Sequence, residues 1–466
     1  MRPAPRRLLG PLLIVLAAAP LSAQGGSGLD LDRVQQVADS IAYATLATHG
    51  SPGLSIAVAK DGEVVFARGY GDADVENAVA ARPETVYRIG SITKQFTASI
   101  IMRLVERGEI SLDDPVTRFL PDYDMQGHTV TVRHLLNHTS GIYSYTSLGE
   151  EAWRTTFRHD LTDEELVALF EHEPFDFEPG AEQRYNNSAY VLLGPIIEAV
   201  TGKPYARALQ ENLLAPLGLE HTLYCDVRRV VPHRASGYEY EDGELINAFF
   251  LSMNVPGAAG AMCSTVGDLV AWTRMLHGGD VVSPASLRQM TTPTVVASGD
   301  TIPYGFGLGV GSLEGHRQVG HGGGINGFIS QLAHYPDDGV TVAVLTNSGS
   351  GPAGRITEMV ARAALGLELP RVEDRPLTAE VIERVVGTYA LQMGDNRMEL
   401  TVFEEGGQLM TQAEGQSANR LRWQGDATFI PTFDDQVRLV FEPAEGRAER
   451  VILHQGGAEV PGERVR

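Results

Sequence analysis

Apolar and polar positions alternate along the chain with two different periods. In residues 30–49 and 92–107 the apolar residues recur every three to four positions, which predicts two amphipathic helices. On both sides of Asp61-Gly62 they recur at every second position, and this dipeptide favours the two-residue turn of a β-hairpin. From about residue 112 to residue 275, helical segments and loops dominate. We therefore expect a hairpin of strands near the start, followed by a largely helical region.

Strand-like alternation returns at residues 304–310, 317–321, 328–335 and 340–346, and a helical pattern follows at 354–365. Strands at both ends of a region with helices between them predict one antiparallel sheet with an inserted all-α lobe. The expected fold class is therefore α+β, with helices flanking the sheet. A substrate or ligand site is expected where the lobe meets the sheet.

The last part of the chain has a different pattern. Residues 369–376 are predicted to be a linker. Short alternating segments separated by tight turns then follow at residues 398–403, 408–412, 428–432, 437–441 and 450–454. This spacing predicts a small all-β meander or barrel. The expected domains are residues 24–368 and residues 377–466.

The first 23 residues have the three parts of a secretory signal. Arg2, Arg6 and Arg7 form a basic start, residues 8–20 are apolar, and Ala23 is a small residue suited to cleavage. Two prolines interrupt the apolar run, which is shorter than the ~18 residues that a membrane span requires. We therefore expect a signal peptide that is cut after this segment. The mature protein is expected to be periplasmic or extracellular, with no stable membrane anchor.

Export would place the chain in a compartment where disulfides persist. Cys225 and Cys263 are its two cysteines. Cysteine is among the most buried residue types even when it is unpaired. We expect two buried free thiols, and a disulfide between them is the alternative.

The composition is that of a folded, acidic protein. Of 466 residues, 43% are hydrophobic and 21% are charged, which excludes a disordered chain and a disulfide-dense miniprotein. The chain has 37 Lys and Arg against 59 Asp and Glu, so its net charge is −22. This charge repels nucleic-acid backbones and anionic lipid surfaces. No nucleic-acid partner is therefore expected.

Ser91-x-x-Lys94 is the first candidate for chemistry. On a helix this spacing puts both side chains on one face. Ser91 would lie at the helix start, where unpaired backbone N–H groups and the helix dipole favour a developing oxyanion. To act as a base at neutral pH, Lys94 needs a pKa about 3 units below its reference value, a shift worth about 4 kcal/mol. Burial under the helical lobe would lower the pKa in that direction.

Two later motifs carry complementary groups. Tyr185-x-Asn187 offers a phenol that can relay a proton and an amide that can hold both a lysine and a substrate carbonyl. His321-x-Gly323 ends a predicted strand and continues into Gly324. Glycines there would let a substrate backbone approach and would leave an N–H group free for an oxyanion hole.

Together and in this order, the three motifs resemble those of the serine β-lactamase-like family of penicillin-recognising hydrolases. The chain is most similar to the branch of class C β-lactamases, DD-carboxypeptidases and esterases. The resemblance covers about residues 30–365, including HLLNHTSG at 134–141. It implies a helical lobe packed against an antiparallel sheet, in agreement with the pattern above. The C-terminal module resembles the lipocalin-like domain that some members carry.

The resemblance also implies a role for each motif residue. Ser91 would be the acylated nucleophile, Lys94 its proton acceptor and Tyr185 the proton relay. Asn187 would contact the lysine and the substrate amide. The backbone N–H groups of the serine and of Gly324 would form the oxyanion hole.

The expected substrate is a small molecule or peptide that donates an acyl group from an amide or ester. β-Lactams, D-amino-acid peptides and esters fit equally well, and peptidoglycan-derived peptides are among the candidates. No cofactor and no metal are expected. The oligomeric state is left open by the sequence.

His321 stands where many members of the family have a lysine that contacts the substrate carboxylate. With an unperturbed pKa of ~6.5, the cationic fraction of a histidine rises from about a quarter at pH 7 to about three quarters at pH 6. We expect His321 to face the acyl donor. Carboxylate-bearing substrates should then bind better at pH 6 than at pH 7.5.

Three other interpretations find less support in the sequence. His134 and His138 are one helical turn apart, but Leu135 stands where a zinc-binding HExxH helix has glutamate, so a packed structural role is favoured. The Gly-x-Ser-x-Gly elbow of α/β-hydrolases is absent from the sequence. The alternative from another class is a non-catalytic protein that binds cell-wall peptides or penicillin. A lost motif residue would indicate it, and the three motifs are complete.

Overall fold

The computed structural model describes residues 29–466, apart from residues 49, 242, 394–395, 415–417, 433–436 and 456–457. The predicted signal peptide lies outside the described residues. Within them, no helix combines the length and the apolar character that crossing a membrane requires.

The helices of the described residues are α1 (Leu31–Ala47), α2 (Thr93–Glu106), α3 (Val132–Leu136), α4 (Glu150–Arg154), α5 (Asp163–Val167), α6 (Asn187–Thr201), α7 (Tyr205–Leu209), α8 (Gly257–Gly260), α9 (Val266–Gly278), α10 (Pro284–Met290), α11 (Ala353–Ala364) and α12 (Ala379–Val385). The strands of the first three quarters of the chain are β1 (Gly53–Lys60), β2 (Glu63–Asp74), β3 (Val79–Ala80), β4 (Tyr87–Arg88), β5 (Leu223–Tyr224), β6 (Tyr238–Glu241), β7 (Glu244–Asn247), β8 (Met262–Ser264), β9 (Thr294–Val295), β10 (Thr301–Ile302), β11 (Gly309–Leu313), β12 (His316–Ile325), β13 (Phe328–Tyr335) and β14 (Val340–Thr346). The remaining strands are β15 (Gly387–Met393), β16 (Asn396–Glu405), β17 (Gln408–Ala413), β18 (Asn419–Gly425), β19 (Thr428–Pro431), β20 (Arg438–Glu442), β21 (Arg450–Gln455) and β22 (Ala458–Arg464).

A seven-stranded sheet in the order β11-β12-β13-β14-β1-β2-β3 forms the centre of the larger part of the protein. Its strands come from both sides of the helical region, and β1 pairs antiparallel with β14, with Leu54 opposite Thr346. Successive side chains of a strand point to opposite faces of a sheet. Leu54, Ile56 and Val58 accordingly pack with α1 and α11, while Ala57 belongs to the core on the helical-lobe side. The sheet is therefore buried on both faces, and the predicted α+β class is confirmed.

Most predicted elements of this sheet are present, but one strand is wrong. β13 and β14 have the predicted bounds, and Asp61-Gly62 joins β1 to β2. Residues 304–308 form a loop instead of a strand, and the edge strand β11 begins at Gly309. In that loop the Tyr304 carbonyl accepts from Thr294 N–H of β9 (3.0 Å), and Phe306 N–H donates to the Met290 carbonyl at the end of α10 (3.0 Å). The backbone partners are thus scattered and do not form a strand ladder.

Cys225 and Cys263 form a disulfide, so the expectation of free thiols is wrong. β5 pairs with β8, and Leu223 lies opposite Cys263 in that pair. This pairing brings the Cα atoms of the two cysteines to 5.3 Å, within the range that a disulfide requires. Sequence periodicity could not show it, because both strands have only two or three residues.

The C-terminal part is a closed barrel of the eight strands β15 to β22, in which β15 pairs with both β16 and β22. The sequence predicted five of these strands. β15, β18 and β22 were missed. β18 has only two apolar side chains, Leu421 and Trp423, and Pro461 and Gly462 interrupt the alternation of β22. The barrel interior is filled by large apolar side chains, among them Tyr389, Phe429 and Phe441.

The barrel should fold independently of the larger part of the protein. The apolar clusters of the sheet and lobe contain no residue beyond Leu369, and the barrel cluster contains none before Leu377. A chain that ends at Pro370 keeps the contacts of Arg33 with the Leu367 carbonyl and of Arg362 with the Glu368 carbonyl. We expect this chain and a separate 371–466 fragment each to unfold cooperatively in thermal circular dichroism. Aggregation or non-cooperative melting of the 371–466 fragment would show that the two parts share a core.

Candidate active site

Ser91 lies in a short 3₁₀ turn, Gly90–Ile92, that continues directly into α2. The turn is anchored from behind, because Ile89 N–H donates to the Met262 carbonyl of β8 (2.9 Å). It also touches β12 closely, since a Cβ atom on Gly90 would lie 2.9 Å from the backbone N and O atoms of Gly324. The backbone of the serine turn and the glycine segment of β12 are thereby held side by side.

Lys94 is on the first turn of α2 and is completely buried. Its Nζ lies 3.1 Å from Ser91 Oγ, 2.8 Å from Asn187 Oδ1 and 2.9 Å from the carbonyl oxygen of Ala259 at the end of α8. Burial lowers the pKa of this amine well below its ordinary value of 10.5. A neutral amine has two N–H bonds and one lone pair. The two carbonyl oxygens can accept both N–H bonds, which leaves the lone pair directed to the Ser91 hydroxyl.

Tyr185 and Asn187 reach the same place from the start of α6. The Asn186 side chain accepts a hydrogen bond from Ala189 N–H and so caps this helix, which fixes the two residues on either side of it. Lys94 Nζ lies 4.8 Å from the centroid of the Tyr185 ring. Although 41% of Tyr185 is exposed, burial around its hydroxyl raises the pKa of the phenol, and the neighbouring Ser91 side chain opposes that rise. The phenol is therefore protonated at neutral pH.

His321 is on β12 with its ring on the same side of the cluster. Its Nε2 is 2.9 Å from the Tyr304 hydroxyl, its Nδ1 contacts the Gly322 carbonyl, and its ring centroid is 5.9 Å from that of Tyr185. Burial, with a smaller contribution from the nearby Lys94, lowers the pKa of His321 to about 4. The expectation of a histidine that becomes cationic near pH 6 is therefore wrong, because the imidazole is neutral throughout that range.

The glycines after His321 allow β12 to lie against the serine turn. A Cβ atom on Gly323 would collide with the Ile89 carbonyl and the Ser330 hydroxyl, so any larger residue would displace the strand. Gly324 is exposed, and its backbone can reach a bound molecule. A groove of about 400 Å³ runs along this edge and is lined by uncharged residues, including Tyr185, Gln318 and Gln331.

The structure brings every residue of the three predicted motifs into one cluster. Sequence reasoning missed Tyr304, which bonds to His321, and the Ala259 carbonyl, which holds Lys94. It also assigned His138 to packing alone, whereas its ring lies 4.4 Å from that of Tyr185. The HLLNHTSG segment was the signal for this histidine. Among the described residues no group of three or more His, Cys, Asp or Glu side chains is placed to hold a metal ion.

An antiparallel sheet, an inserted helical lobe and a buried lysine behind a helix-start serine define a class of serine hydrolases. The chain belongs to the β-lactamase family, because the model of the family described as Beta-lactamase matches residues 37–366. The protein is therefore a hydrolase of this fold, as the sequence predicted.

Individual relatives agree with this assignment. The chain is 28% identical over 438 residues to penicillin-binding protein 4* of Bacillus subtilis, covering 88% of this chain and 95% of that protein. It is 30% identical over 353 residues to a D-aminopeptidase of Gluconobacter oxydans, covering 73% of this chain but only 64% of the relative. Among solved structures, the octameric penicillin-binding protein homologue of Pyrococcus abyssi has a TM-score of 0.68 and 29% identity, covering 93% of this chain and 100% of that one.

The low pKa of Lys94 should be visible in the pH dependence of stability. The unfolded chain protonates this amine below its ordinary pKa, whereas the folded protein does so only at lower pH. Lys94→Met removes this difference. We therefore compare the free energy of unfolding of Lys94→Met with that of the wild type. As the pH falls from about 10 towards the pKa of Lys94 in the folded protein, the difference in favour of Lys94→Met should grow by about 1.4 kcal/mol for each pH unit.

The measurement is urea unfolding of both proteins at pH 7, 8, 9 and 10. Lys203→Met, which removes an exposed lysine paired with Glu211 (2.6 Å), controls for the general effect of losing one positive charge. A difference between Lys94→Met and wild type that is constant over this range would show that the buried amine is not neutral.

Proposed function

We propose that this chain is an exported serine hydrolase that forms an acyl-enzyme at Ser91 with amide or ester substrates. The observation that carries the proposal is the fully buried Lys94 amine, 3.1 Å from Ser91 Oγ, with carbonyl acceptors for both of its N–H bonds. A lysine in this setting is a proton acceptor and not a surface charge. β-Lactams, D-amino-acid peptides and esters are the candidate acyl donors.

In the acylation step, Ser91 Oγ attacks the acyl carbon while its proton moves to Lys94 Nζ. The negative charge of the tetrahedral intermediate falls on the former carbonyl oxygen. The backbone N–H groups of Ser91 and Gly324 are the donors proposed to receive it, since their chain segments are in direct contact. When the intermediate collapses, the bond to the leaving nitrogen or oxygen breaks.

Tyr185 completes the transfer of the proton. Its phenol is protonated at neutral pH, and its ring lies 4.8 Å from Lys94 Nζ, so it can give a proton to the leaving group and receive one from the lysine. Asn187 Oδ1 accepts a hydrogen bond from the lysine amine and keeps it in place, and the amide N–H of Asn187 can donate to a carbonyl oxygen of the substrate. In deacylation a water molecule attacks the acyl carbon, and its proton passes through Tyr185 to Lys94 Nζ. The bond between the acyl carbon and Ser91 Oγ then breaks, and Lys94 returns the proton to Oγ.

The uncharged groove favours substrates that lack a carboxylate beside the scissile bond. His321 is neutral at physiological pH, and none of the residues that line the groove is charged. Amides and esters of D-amino acids fit this surface, and the D-aminopeptidase name of one relative supports that stereochemistry. The basic and apolar N-terminal segment supports export, which would bring the enzyme to peptidoglycan-derived D-peptides.

Mass spectrometry of the intact protein tests the nucleophile. A fluorophosphonate should add one label to the wild type, and peptide mapping should place it on Ser91. Ser91→Ala should lose the label and at least about 10³-fold in turnover. Ser99→Ala, on the buried face of the same helix and bonded to the Gln95 carbonyl (2.7 Å), is the matched control and should label normally. A label on another residue would contradict the assignment, and no label at all would favour the non-catalytic peptide-binding protein. A parallel incubation with penicillin shows whether β-lactams acylate the same serine.

The neutral state of His321 predicts how substrate charge and pH combine. For a matched pair of a carboxylate substrate and its methyl ester, the ratio of the two KM values should be the same at pH 6 and pH 7.5. His321→Lys adds a cation to the groove and should improve the KM of the acid several-fold relative to the ester, as expected for a partly exposed ion pair. A wild-type ratio that favours the acid at pH 6 would show that His321 is protonated there.

A further inference from the structure

His138 occupies a strained and enclosed position behind the proposed site. It has no exposed surface, and its backbone is left-handed, with φ +62°, a conformation that is uncommon for residues other than glycine. Its ring lies 4.4 Å from that of Tyr185, 5.1 Å from that of Tyr190 and 4.8 Å from that of Tyr304, measured between centroids. No step of the proposed mechanism uses this residue.

His138 forms hydrogen bonds with the residues directly before and after Tyr185 in the sequence. Its carbonyl oxygen accepts from Arg184 N–H (3.0 Å), and its ring Nδ1 accepts from Asn186 N–H (3.2 Å). The residues immediately before and after Tyr185 are thus both bonded to one histidine. Asn186 also caps α6, so the same contacts fix where Asn187 begins that helix.

The state of the imidazole follows from these contacts. Because Nδ1 accepts a hydrogen bond, the neutral ring carries its proton on Nε2. Burial, together with the nearby Lys94 and His321, lowers the pKa of His138 well below its ordinary value, so the neutral form is kept. Nε2 has no hydrogen-bond partner among the described residues. A buried unpaired N–H group costs stability, and a residue selected for packing alone would avoid that cost.

We propose that His138 is a positioning residue of the hydrolase, which holds Tyr185 and Asn187 against the Ser91–Lys94 pair. The inference rests on the proposed function, since it assigns a support to the proton relay. His138 acts through the backbone on both sides of Tyr185 and through ring contact, and it does not touch the substrate. Without it, the Tyr185–Asn187 segment would lose one acceptor and its aromatic support.

The test is His138→Gly with chemical rescue. Glycine accepts the left-handed backbone without strain and leaves a cavity of the size of an imidazole ring. We expect kcat for an amide substrate to fall about 10²-fold, the loss that a misplacement of about 1 Å produces, with KM changed much less. Added imidazole should raise the kcat of His138→Gly at least about tenfold. Wild type and Ser91→Ala with the same imidazole control for inhibition and for background catalysis.

Two substitutions keep the test valid if the glycine variant does not fold. Asn tolerates the left-handed backbone and offers an acceptor to Asn186 N–H, so His138→Asn should recover most of the lost kcat. His138→Leu fills the space without an acceptor and should not. His134→Asn, in the same segment but bonded to Thr131 N–H (3.3 Å), is the matched control and should keep the wild-type kcat.

The possible outcomes separate the two proposals. Absence of Ser91 labelling in the wild type overturns the proposed function and this inference with it. Normal labelling together with a wild-type kcat in His138→Gly, or with equal losses in His138→Asn and His138→Leu, overturns the positioning role alone. A loss in His138→Gly that imidazole does not reverse, although the variant melts like wild type, also counts against it.

Discussion

The structure depends on the burial of one amine. Lys94 is fully enclosed, and burial of a charged ammonium is expensive unless it is neutralised or paired. No carboxylate of the described residues is bonded to it, and its three bonded neighbours are a hydroxyl, an amide oxygen and a backbone carbonyl. This is an environment for a neutral amine, and each neighbour comes from a different element. The serine turn, α6 and α8 must therefore all be in place before the lysine has its partners.

Around the lysine the site is aromatic and uncharged, although the whole protein has a net charge of −22. Three tyrosines and two histidines form one cluster, in which each ring centroid lies within 5.9 Å of at least one other, and both imidazoles are neutral. Low polarity around the amine lowers its pKa, and it does the same to His321. The same desolvation that makes Lys94 a base thus removes the cation that a histidine at position 321 would otherwise provide. Reactivity and substrate selectivity have one physical cause here.

The glycines of β12 and the short strands behind the serine turn allow two backbone segments to lie side by side at Ser91. Two backbone segments can approach closely only where side chains are absent, and Gly90 and Gly323 provide that space. From behind, β8 bonds to the residue before the turn, and the Cys225–Cys263 disulfide links β8 to the residue that follows β5. The backbone around Ser91 is thus held from two sides. The barrel contributes none of these contacts, since its apolar core is separate.

The sequence alone determined the local features of this protein. Hydrophobic periods predicted α1, α2, β13 and β14, because these elements place regularly spaced apolar side chains in the cores on the two faces of the sheet. The spacing of Ser91 and Lys94 fixed their pairing, since three residues on a helix set the distance between two side chains. Ordered motifs indicated the family and the residues of the candidate site.

Tertiary structure decided what depends on partners distant in sequence. The alternation in residues 304–308 favours a strand, but their backbone hydrogen bonds are divided between β9 and the end of α10. The disulfide forms because β5 and β8 pair. His138, which follows α3, belongs to the site because Asn186 N–H at the start of α6 donates to its ring. The motifs likewise could not predict the protonation states of Lys94 and His321. Desolvation shifts the pKa of each group, and desolvation depends on the residues packed around it.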